Sequence, residues 1–410
     1  MKQCLTAAVV CLLLFALCFS AAAESRIMVV SDTHYLASTL YEPDSPYFLS
    51  VVSVGASKAT QYSSELLDAL LAEARHQQPD VLLITGDLTF CGEKASHEEL
   101  SAALRTLEAD GIRVVVIPGN HDINGSGAAA YSDTGETPTE TVTSAEFGAI
   151  WQDMLADELR GPGFCGVVKV RDDLWLAVGD YSVYEDHTEE HGKATEEHLT
   201  WISGVMDAAA ESGAEVISVS HQPLLSHTDV TSHKFMVHGG DRVADILVAG
   251  GTRLNLSGHM HIQQILEAKC GLTDITSGAW CILPVRYAIV TVADDGAIDY
   301  QSYAACEEHL PEGYAETVSA FFETATRKGL RAQLMAMGVF DQQNDDMVAF
   351  AIKANECYFA GTMLDHPELF DDPALALWQQ YERSSTFAQY LVTFMKESTR
   401  ETRVWHSAAE

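Results

Sequence analysis

Basic residues are scarce in this chain of 410 residues. Its 24 Lys and Arg side chains stand against 59 Asp and Glu side chains, and the formal net charge is −35. A surface of this sign repels nucleic acid and anionic membranes at long range. We therefore expect no nucleic-acid partner, and a nuclease is disfavoured. A small anionic substrate is still compatible with the sequence where bound metal ions reverse the local charge.

The N-terminal segment is apolar but short for a membrane span. Lys2 precedes an apolar run from Leu5 to Phe19, and three alanines end the segment at Ala23. This layout is typical of a secretory signal peptide with a small-residue cleavage site. We predict a signal peptide over residues 1–23 and export to the periplasm, the cell surface or the medium, with an anchor formed by an uncleaved signal as the alternative. After signal removal we expect no stable membrane insertion, and the sequence does not indicate the oligomeric state.

Cysteines are few, and none shows the C-x-x-C spacing of a zinc site built from thiolates. Three of the nine lie in the predicted signal peptide. The others could form disulfides in an exported protein, but they are too sparse to be the framework of the fold. They are Cys91, Cys165, Cys270, Cys281, Cys306 and Cys357.

Between residues 26 and 304, short apolar segments rich in β-branched residues alternate with helical patterns. The apolar segments predict strands at 26–31, 80–85, 113–118, 174–179, 215–220 and 253–257. The periodic segments predict helices at 63–76, 95–108 and 195–210. This alternation is typical of an α/β layered core.

Two segments, 42–59 and 124–143, show no period and are interpreted as long loops, either substrate-facing or plain surface insertions. After residue 304 the pattern changes. Apolar residues recur at i, i+3, i+4 and i+7 in stretches around 318–325, 347–358 and 387–394, with no strand-like run between them. We therefore divide the chain into the signal peptide, an α/β unit over 24–304 and a C-terminal helical subdomain over 305–410.

Five of the predicted strands are followed directly by side chains that can bind metals or transfer protons. In α/β sheets, the carboxyl ends of the strands form the edge where ligands bind. The side chains are Asp32 and His34; Asp87; Asn120, His121 and Asp122; His221; and His259 and His261.

This inventory suits a centre of two divalent ions, which needs ligands from several strands and one carboxylate that bridges them. One ion could be held by Asp32, His34, Asp87 and His261. The other could be held by Asp87, Asn120, His221 and His259, with Asp87 bridging. Residues i and i+2 of an extended chain point the same way, so Asp32 and His34 can reach one cluster. All seven ligands offer N or O donors, which suit Mn, Fe or Zn, and the sequence does not identify the metal.

The ordered blocks D-x-H, GD, GNHD, H and GHxH over residues 26–303 resemble the calcineurin-like metallophosphoesterases. Within that family the chain is most similar to the bacterial exported branch related to class III cyclic-nucleotide phosphodiesterases, several of which carry a helical C-terminal region. The resemblance implies a β-sandwich flanked by helices in αββα layers, followed by the helical subdomain.

The resemblance also implies a reaction, in which a metal-bridging hydroxide attacks a small phosphoester substrate. His121 resembles the family's general acid, with Asp122 holding its imidazole. We expect a phosphodiesterase for nucleotide-like or cyclic-nucleotide substrates, because of family resemblance alone. The alternatives are a phosphomonoesterase or nucleotidase, and a non-catalytic surface protein that binds metal or phosphate.

Other residues have weaker support. The histidines at 227, 233 and 238 are interpreted as surface residues rather than substrate contacts. Glu93 and His97 could line the rim of the pocket or belong to the start of a helix. Cys91 and Cys281 are expected to be buried thiols or disulfide halves rather than ligands. Aromatic residues that could stack a base, although packing is the safer interpretation, are Trp280 and the tyrosines at 35, 41, 47 and 62.

Overall fold

The computed structural model describes residues 24–184, 191–229 and 235–407. The strands of this part of the chain are β1 Ser25–Val30, β2 Val81–Ile84, β3 Arg113–Val116, β4 Ala129–Ser132, β5 Gly135–Pro138, β6 Gly166–Arg171, β7 Leu174–Gly179, β8 Gly192–Lys193, β9 Glu215–Ser220, β10 Val237–His238, β11 Leu254–Ser257, β12 Gln264–Glu267, β13 Thr273–Thr276, β14 Arg286–Val292, β15 Ile298–Ala304 and β16 Val404–Ser407. The helices are α1 Pro46–Val52, α2 Ser63–Gln77, α3 Lys94–Leu104, α4 Ser144–Ile150, α5 Glu196–Ser212, α6 Gly240–Ala249, α7 Tyr314–Ala336, α8 Asp341–Ala360, α9 Pro373–Gln380 and α10 Thr386–Glu397.

Two six-stranded sheets form the centre of the molecule. Their strand orders are β16-β15-β14-β1-β2-β3 and β12-β13-β11-β9-β7-β6. Strands β1, β2 and β3 are parallel in the first sheet, as are β7, β9, β11 and β13 in the second. Because the connected strands are parallel, their carboxyl ends lie at the same edge of each sheet.

The alternation of side chains along β1 explains how the layers pack. Ile27 and Val29 point into the core between the two sheets, where they join Val219 of β9. Met28 and Val30 point the other way and pack against the helical layer. A strand covered on both faces is apolar throughout, which is why the sequence shows unbroken apolar runs here rather than alternation.

Helices cover the outer face of each sheet. α2 and α3 pack on the first sheet through Leu70 and Leu100. α5 and α6 pack on the second through Ile202 and Leu247. These layers confirm the predicted αββα sandwich.

The C-terminal region is helical, as predicted, and has a core of its own. α7 to α10 bury Phe350, Trp378 and Phe394 together. The chain then returns to the sandwich, because β16 pairs antiparallel with β15 at the edge of the first sheet. β16 is not predicted from the sequence, because its four residues, Val-Trp-His-Ser, carry too short a pattern to be distinguished from a loop.

The six predicted strands are all present, with ends within two residues of the expected positions, and β7 and β9 have the predicted bounds. The three predicted helices are also present, although the second ends at Leu104 and continues as a 3₁₀-helix over Arg105–Asp110. The interpretation of 42–59 and 124–143 as loops was wrong in part. The first contains α1, and the second contains the hairpin β4–β5. Both elements are too short to show a hydrophobic period.

All six cysteines of the described chain are free thiols. None of the helices in the described ranges is both long and apolar enough to cross a bilayer. The predicted signal peptide, residues 1–23, lies outside the described residues.

Candidate active site

The predicted ligands come together where the carboxyl ends of the two sheets meet. Backbone hydrogen bonds join the loops that carry them. The Asp32 amide donates to the Gly86 carbonyl at 3.1 Å, the His34 amide donates to the Asp87 carbonyl at 3.0 Å, and Gly258 N donates to His221 O at 2.9 Å. These bonds fix the loop after β1 to the loop after β2, and the loop after β11 to the loop after β9. The His259 amide, which donates to the Asp32 carboxylate at 3.0 Å, joins the two pairs.

The ligand atoms form two groups that share a carboxylate. Within each group these atoms lie within 4.8 Å of one another. The first group is Asp32, His34, Asp87 and His261, and the second is Asp87, His221 and His259. Asn120 joins the second group, since its Oδ1 lies 3.1 Å from His221 Nε2. The structure thus brings all seven predicted ligands together, with Asp87 in both groups.

The orientation of His221 tests whether a cation fits this centre. Its Nδ1 lies 2.8 Å from the Thr85 carbonyl and therefore carries a proton. Its Nε2 faces two oxygen acceptors, Asp87 Oδ1 at 3.3 Å and Asn120 Oδ1 at 3.1 Å. A proton on Nε2 satisfies these contacts when no metal is bound. A divalent ion in its place could bind all three atoms at once.

Two further observations fit a bound cation. His259 Nε2 is buried and has no hydrogen-bond partner. His34 Nε2 and His261 Nε2 lie 3.0 Å apart, close enough for both to bind one ion. Because every donor in the two groups is N or O, the residues fit Mn, Fe or Zn.

The electrostatics of the centre follow from burial and from the Asp87 charge. Burial opposes ionisation of the Asp87 carboxyl, but the surrounding histidines, His221 first, hold its pKa well below the usual range. Burial lowers the pKa of His221, but the Asp87 carboxylate overcomes this effect and raises it to about 9. Burial and the neighbouring His221 lower the pKa of His259 to about 3. The Asp87 carboxyl is therefore ionised, and its negative charge stabilises a positive charge next to it.

The backbone at the ligands is strained. Five ligand residues that are not glycine have positive φ angles of 40 to 64°. Each such residue costs of the order of 1 kcal/mol and is found where the surrounding structure enforces it, often at functional sites. The residues are Asp32, His34, Asp87, His259 and His261. Gly86, at φ 100°, has no alternative, because a Cβ there would also collide with the His221 ring.

His121, the expected general acid, lines the cavity above the ligands. Its backbone amide donates to Asp87 Oδ1 at 2.9 Å. Its Nδ1 lies 3.0 Å from the Phe90 carbonyl and so carries a proton. Nε2 is therefore the atom that can exchange a proton with a substrate. Because burial lowers the pKa of the ring, Nε2 can donate a proton only after the ring has taken one up.

Asp122 does not hold the His121 imidazole, and that part of the expectation is corrected. Its carboxylate accepts hydrogen bonds from the amides of Leu88, Thr89 and Gly119 and from the Thr89 hydroxyl, at 2.7 to 3.0 Å. Burial and the nearby Asp87 raise its pKa to about 7. Asp122 therefore joins the loops after β2 and β3, and the Phe90 carbonyl orients the His121 ring instead.

Glu93 and His97 lie beneath the centre and do not line the cavity. His97 Nε2 donates to the Asp122 carbonyl at 2.8 Å, and Trp151 Nε1 donates to His97 Nδ1 at 3.1 Å. The Glu93 carboxylate accepts from the Cys91 amide at 3.0 Å. Both side chains belong to the buried support of the loops around α3.

The three weaker histidine candidates have different outcomes. His227 is buried, with Nε2 3.7 Å from Asp274 Oδ2, so its interpretation as a surface residue was wrong. His238 is exposed, as expected, and His233 lies outside the described residues. Trp280 packs in the core and donates to the Leu66 carbonyl at 2.9 Å.

The cavity above the ligands contains residues that sequence reasoning missed. It has a volume of about 330 Å³. Lys58, only 9% exposed, lies in its wall with Nζ 3.4 Å from His34 Nδ1. Aromatic side chains of the C-terminal helices, including Phe359 and Tyr390, also line the cavity. Neither a lone lysine in a segment without periodicity nor a helical apolar stripe carries a local signal for this placement.

The comparisons with known proteins agree with this geometry. A family model described as calcineurin-like phosphoesterase matches residues 25–263, more than half of the chain. The chain belongs to this family of phosphoester hydrolases. The resemblance stated from the motifs is therefore confirmed.

Two relatives of this calcineurin-like phosphoesterase have names that specify a substrate. A cAMP/cGMP dual specificity phosphodiesterase of Mycobacterium tuberculosis is 26% identical over 268 residues, which span 62% of this chain and 70% of that relative. A Rhodococcus erythropolis protein named "Probable cyclic nucleotide phosphodiesterase" is 25% identical over 234 residues, 57% of this chain and 63% of that relative.

A solved structure shows the same fold. The crystal structure of a dimetal phosphatase from Danio rerio superposes with a TM-score of 0.50 and 13% identity. The match covers 69% of this chain and 97% of that one. At this identity the likeness concerns the fold alone.

Proposed function

We propose that this calcineurin-like phosphoesterase hydrolyses small phosphodiesters, with cyclic nucleotides and similar compounds as the substrate class. The observation that carries phosphoester hydrolysis is the pair of ligand groups that share Asp87. A shared carboxylate is what two divalent ions about 3.5 to 4 Å apart require. The preference for diesters is supported by the names of the two relatives.

The proposed metal ligands are Asp32, His34, Asp87, Asn120, His221, His259 and His261. Two divalent ions held by them would supply Lewis-acid activation of water and of the phosphoryl oxygens. The chain's own residues fix the ligands in place. The Thr85 carbonyl sets the tautomer of His221, and bonds of this kind orient ligand rings in metal sites.

Two residues outside the ligand groups have proposed roles at the substrate. With Nδ1 held by the Phe90 carbonyl, Nε2 of the protonated His121 ring donates its proton to the leaving oxygen, and the neutral ring then takes up a proton from solvent. The Lys58 ammonium contacts the phosphoryl oxygens. It is buried in the cavity wall, and none of the ion pairs within the described ranges supplies it with a carboxylate. A buried cation without an anionic partner favours binding of an anion.

The test is hydrolysis of bis-p-nitrophenyl phosphate beside p-nitrophenyl phosphate with added Mn, for the wild type, Asp87→Asn and the control His406→Ala on β16. We expect the diester to be cleaved faster, and the Asp87→Asn variant to lose activity while the control keeps it. Faster cleavage of the monoester would replace the proposal by a phosphomonoesterase or nucleotidase. No turnover of either compound with metal bound would favour a non-catalytic metal-binding or phosphate-binding protein.

We also propose that the protein is exported, which rests on the pattern of residues 1–23 alone. Cleavage after Ala23 would leave Glu24 as the first residue. N-terminal sequencing of the protein from cell fractions checks this. A chain that begins at Met1 in the membrane fraction would favour the uncleaved anchor.

A further inference from the structure

The C-terminal helices reach the cavity above the metal ligands. α8 contributes Tyr358 and Phe359, and α10 contributes Tyr390. Phe235, from the sandwich, completes this wall. A region outside the matched family segment, residues 25–263, thus lines the same cavity as His121.

The cavity is lined by two chemically different sets of side chains. The first set is Lys58 and several of the proposed metal ligands, which would bind ions and phosphate. The second set is four aromatic rings beside Met260 and Ile262, and none of these side chains bears a charge. A ligand that contacts both sets has an anionic group and an uncharged, apolar group.

The aromatic wall is held rigidly against the metal centre. Tyr358 stacks on Phe394 with ring centroids 4.5 Å apart and planes 15° from parallel. The Tyr390 hydroxyl donates to Asn355 Oδ1 at 2.8 Å. The Gln263 amide, two residues after His261, donates to the Phe359 carbonyl at 3.0 Å. Rings fixed in this way bind a flat partner at a small cost in entropy.

We propose that α8 and α10 form a subsite for a flat aromatic group attached to the phosphate, with Phe359 and Tyr390 as its contact residues. The inference rests on the proposed function, because it places the phosphate at the metal centre. Both rings are half-buried, so part of each ring faces the cavity. Offset stacking and edge-to-face contact both favour an aromatic over an aliphatic group.

The experiment compares two phosphonates that cannot be hydrolysed. Phenylphosphonate and methylphosphonate share the anionic end and differ in the organic group. Isothermal titration of the Mn-loaded protein gives the ratio of their affinities. We expect phenylphosphonate to bind about tenfold more tightly to the wild type, and the ratio to fall towards one in Phe359→Ala and Tyr390→Ala.

Two further variants keep the test decisive. Phe340→Ala removes a ring that is 54% exposed and does not line the cavity, so the ratio should be unchanged. Phe359→Tyr keeps the ring and should keep the ratio even if the alanine variant fails to fold. The subsite proposal would be overturned if the affinity ratio of the wild type were near one, or if Tyr390→Ala had the same ratio as the wild type.

The outcomes separate the subsite from the proposed function. If diesters are hydrolysed but the affinity ratio is the same in the alanine variants as in the wild type, the subsite is wrong and the proposed function stands. If the ratio depends on these residues but no phosphoester is hydrolysed, the subsite stands and the function is wrong.

Discussion

At the scale of single residues, the proton transfer proposed for His121 is restricted to one atom. Only Nε2 of His121 is available, because Nδ1 is bound to the Phe90 carbonyl. A general acid matters most when the leaving group is a poor one. We expect His121→Ala to slow cleavage of a cyclic nucleotide, which releases an alkoxide, by roughly 100-fold or more. Release of p-nitrophenolate should be slowed much less, and steady-state rates on both substrates check this.

The alanine variant keeps the backbone amide that bonds to Asp87 Oδ1, so its metal content should match that of the wild type. Metal analysis of the purified variant is therefore the control. An equal loss of rate on both substrates, with metal content unchanged, would contradict the general-acid role.

Lys58 provides a second prediction. Removing a buried cation from the wall of an anion site weakens binding of the phosphoryl group, and we expect Lys58→Gln to raise KM for a diester about tenfold. Lys58→Arg should restore part of the loss, since it keeps the charge with a different shape. Steady-state kinetics at saturating Mn measure both variants. An unchanged KM in Lys58→Gln would mean that the ammonium does not contact the substrate.

Glu93 makes stability depend on pH. Burial raises its pKa from 4.5 to about 7, and its Oε1 is buried without a hydrogen-bond partner. The folded protein therefore binds an extra proton between these values, and the free energy of unfolding falls as pH rises through this window. Glu93→Gln removes the effect, so the variant should be more stable than the wild type at pH 8, by up to about 3 kcal/mol. Denaturant unfolding at pH 5 and pH 8 checks this, and a difference that does not grow with pH would contradict it.

The sequence motifs could predict that the seven proposed ligands lie close together, because each follows a strand and the carboxyl ends of parallel strands converge. The partner of His121 could not be predicted in this way. Asp122 is next to His121 in sequence, but its carboxylate is held by the amides of Leu88 and Thr89, and the Phe90 carbonyl, 31 residues from His121, binds the ring.

At the scale of elements, the loop after β11 connects the metal centre to the C-terminal helices. His259 and His261 belong to the ligand groups. Met260 and Ile262 alternate with them and pack into the helical core. The helical region therefore packs against the residues that are next to two of the proposed ligands in the chain.

This alternation gives a prediction for Ile262, which is 2% exposed. Ile262→Ala should lower the free energy of unfolding by about 3 kcal/mol. It should also weaken metal binding, because the void left by the smaller side chain loosens the loop beside His261. Leu334→Ala, in α7 of the same core, is the matched control and should cost stability without changing metal affinity. Unfolding and metal titrations of both variants measure the two effects. Equal metal affinities would mean that the helices do not position the ligands.

The helices of the C-terminal region could be predicted from their period, but their position on the sandwich could not. Contacts such as Gln263 N with the Phe359 carbonyl join residues far apart in sequence. The same holds for β16, which is defined by its pairing with β15 rather than by its own four residues. Short elements and docking surfaces depend on tertiary contacts that a local pattern does not contain.

At the scale of the whole molecule, two electrostatic effects oppose each other. The net charge of −35 repels an anionic diester at a distance. The metal ions that the two ligand groups would hold, together with Lys58, would attract it once it is close to the cavity. Screening acts over about 8 Å at 0.15 M salt, so added salt weakens the distant repulsion more than the contacts in the buried site.

We therefore expect kcat/KM for bis-p-nitrophenyl phosphate to rise by a few-fold as ionic strength goes from about 10 to 150 mM, at saturating Mn. p-Nitrophenylphosphorylcholine releases the same leaving group but has no net charge, and its kcat/KM should change little. A fall with salt for the anionic diester alone would mean that the positive field of the metal centre extends beyond the acidic surface. In that case local charge, rather than the charge of the whole chain, governs how the substrate is captured.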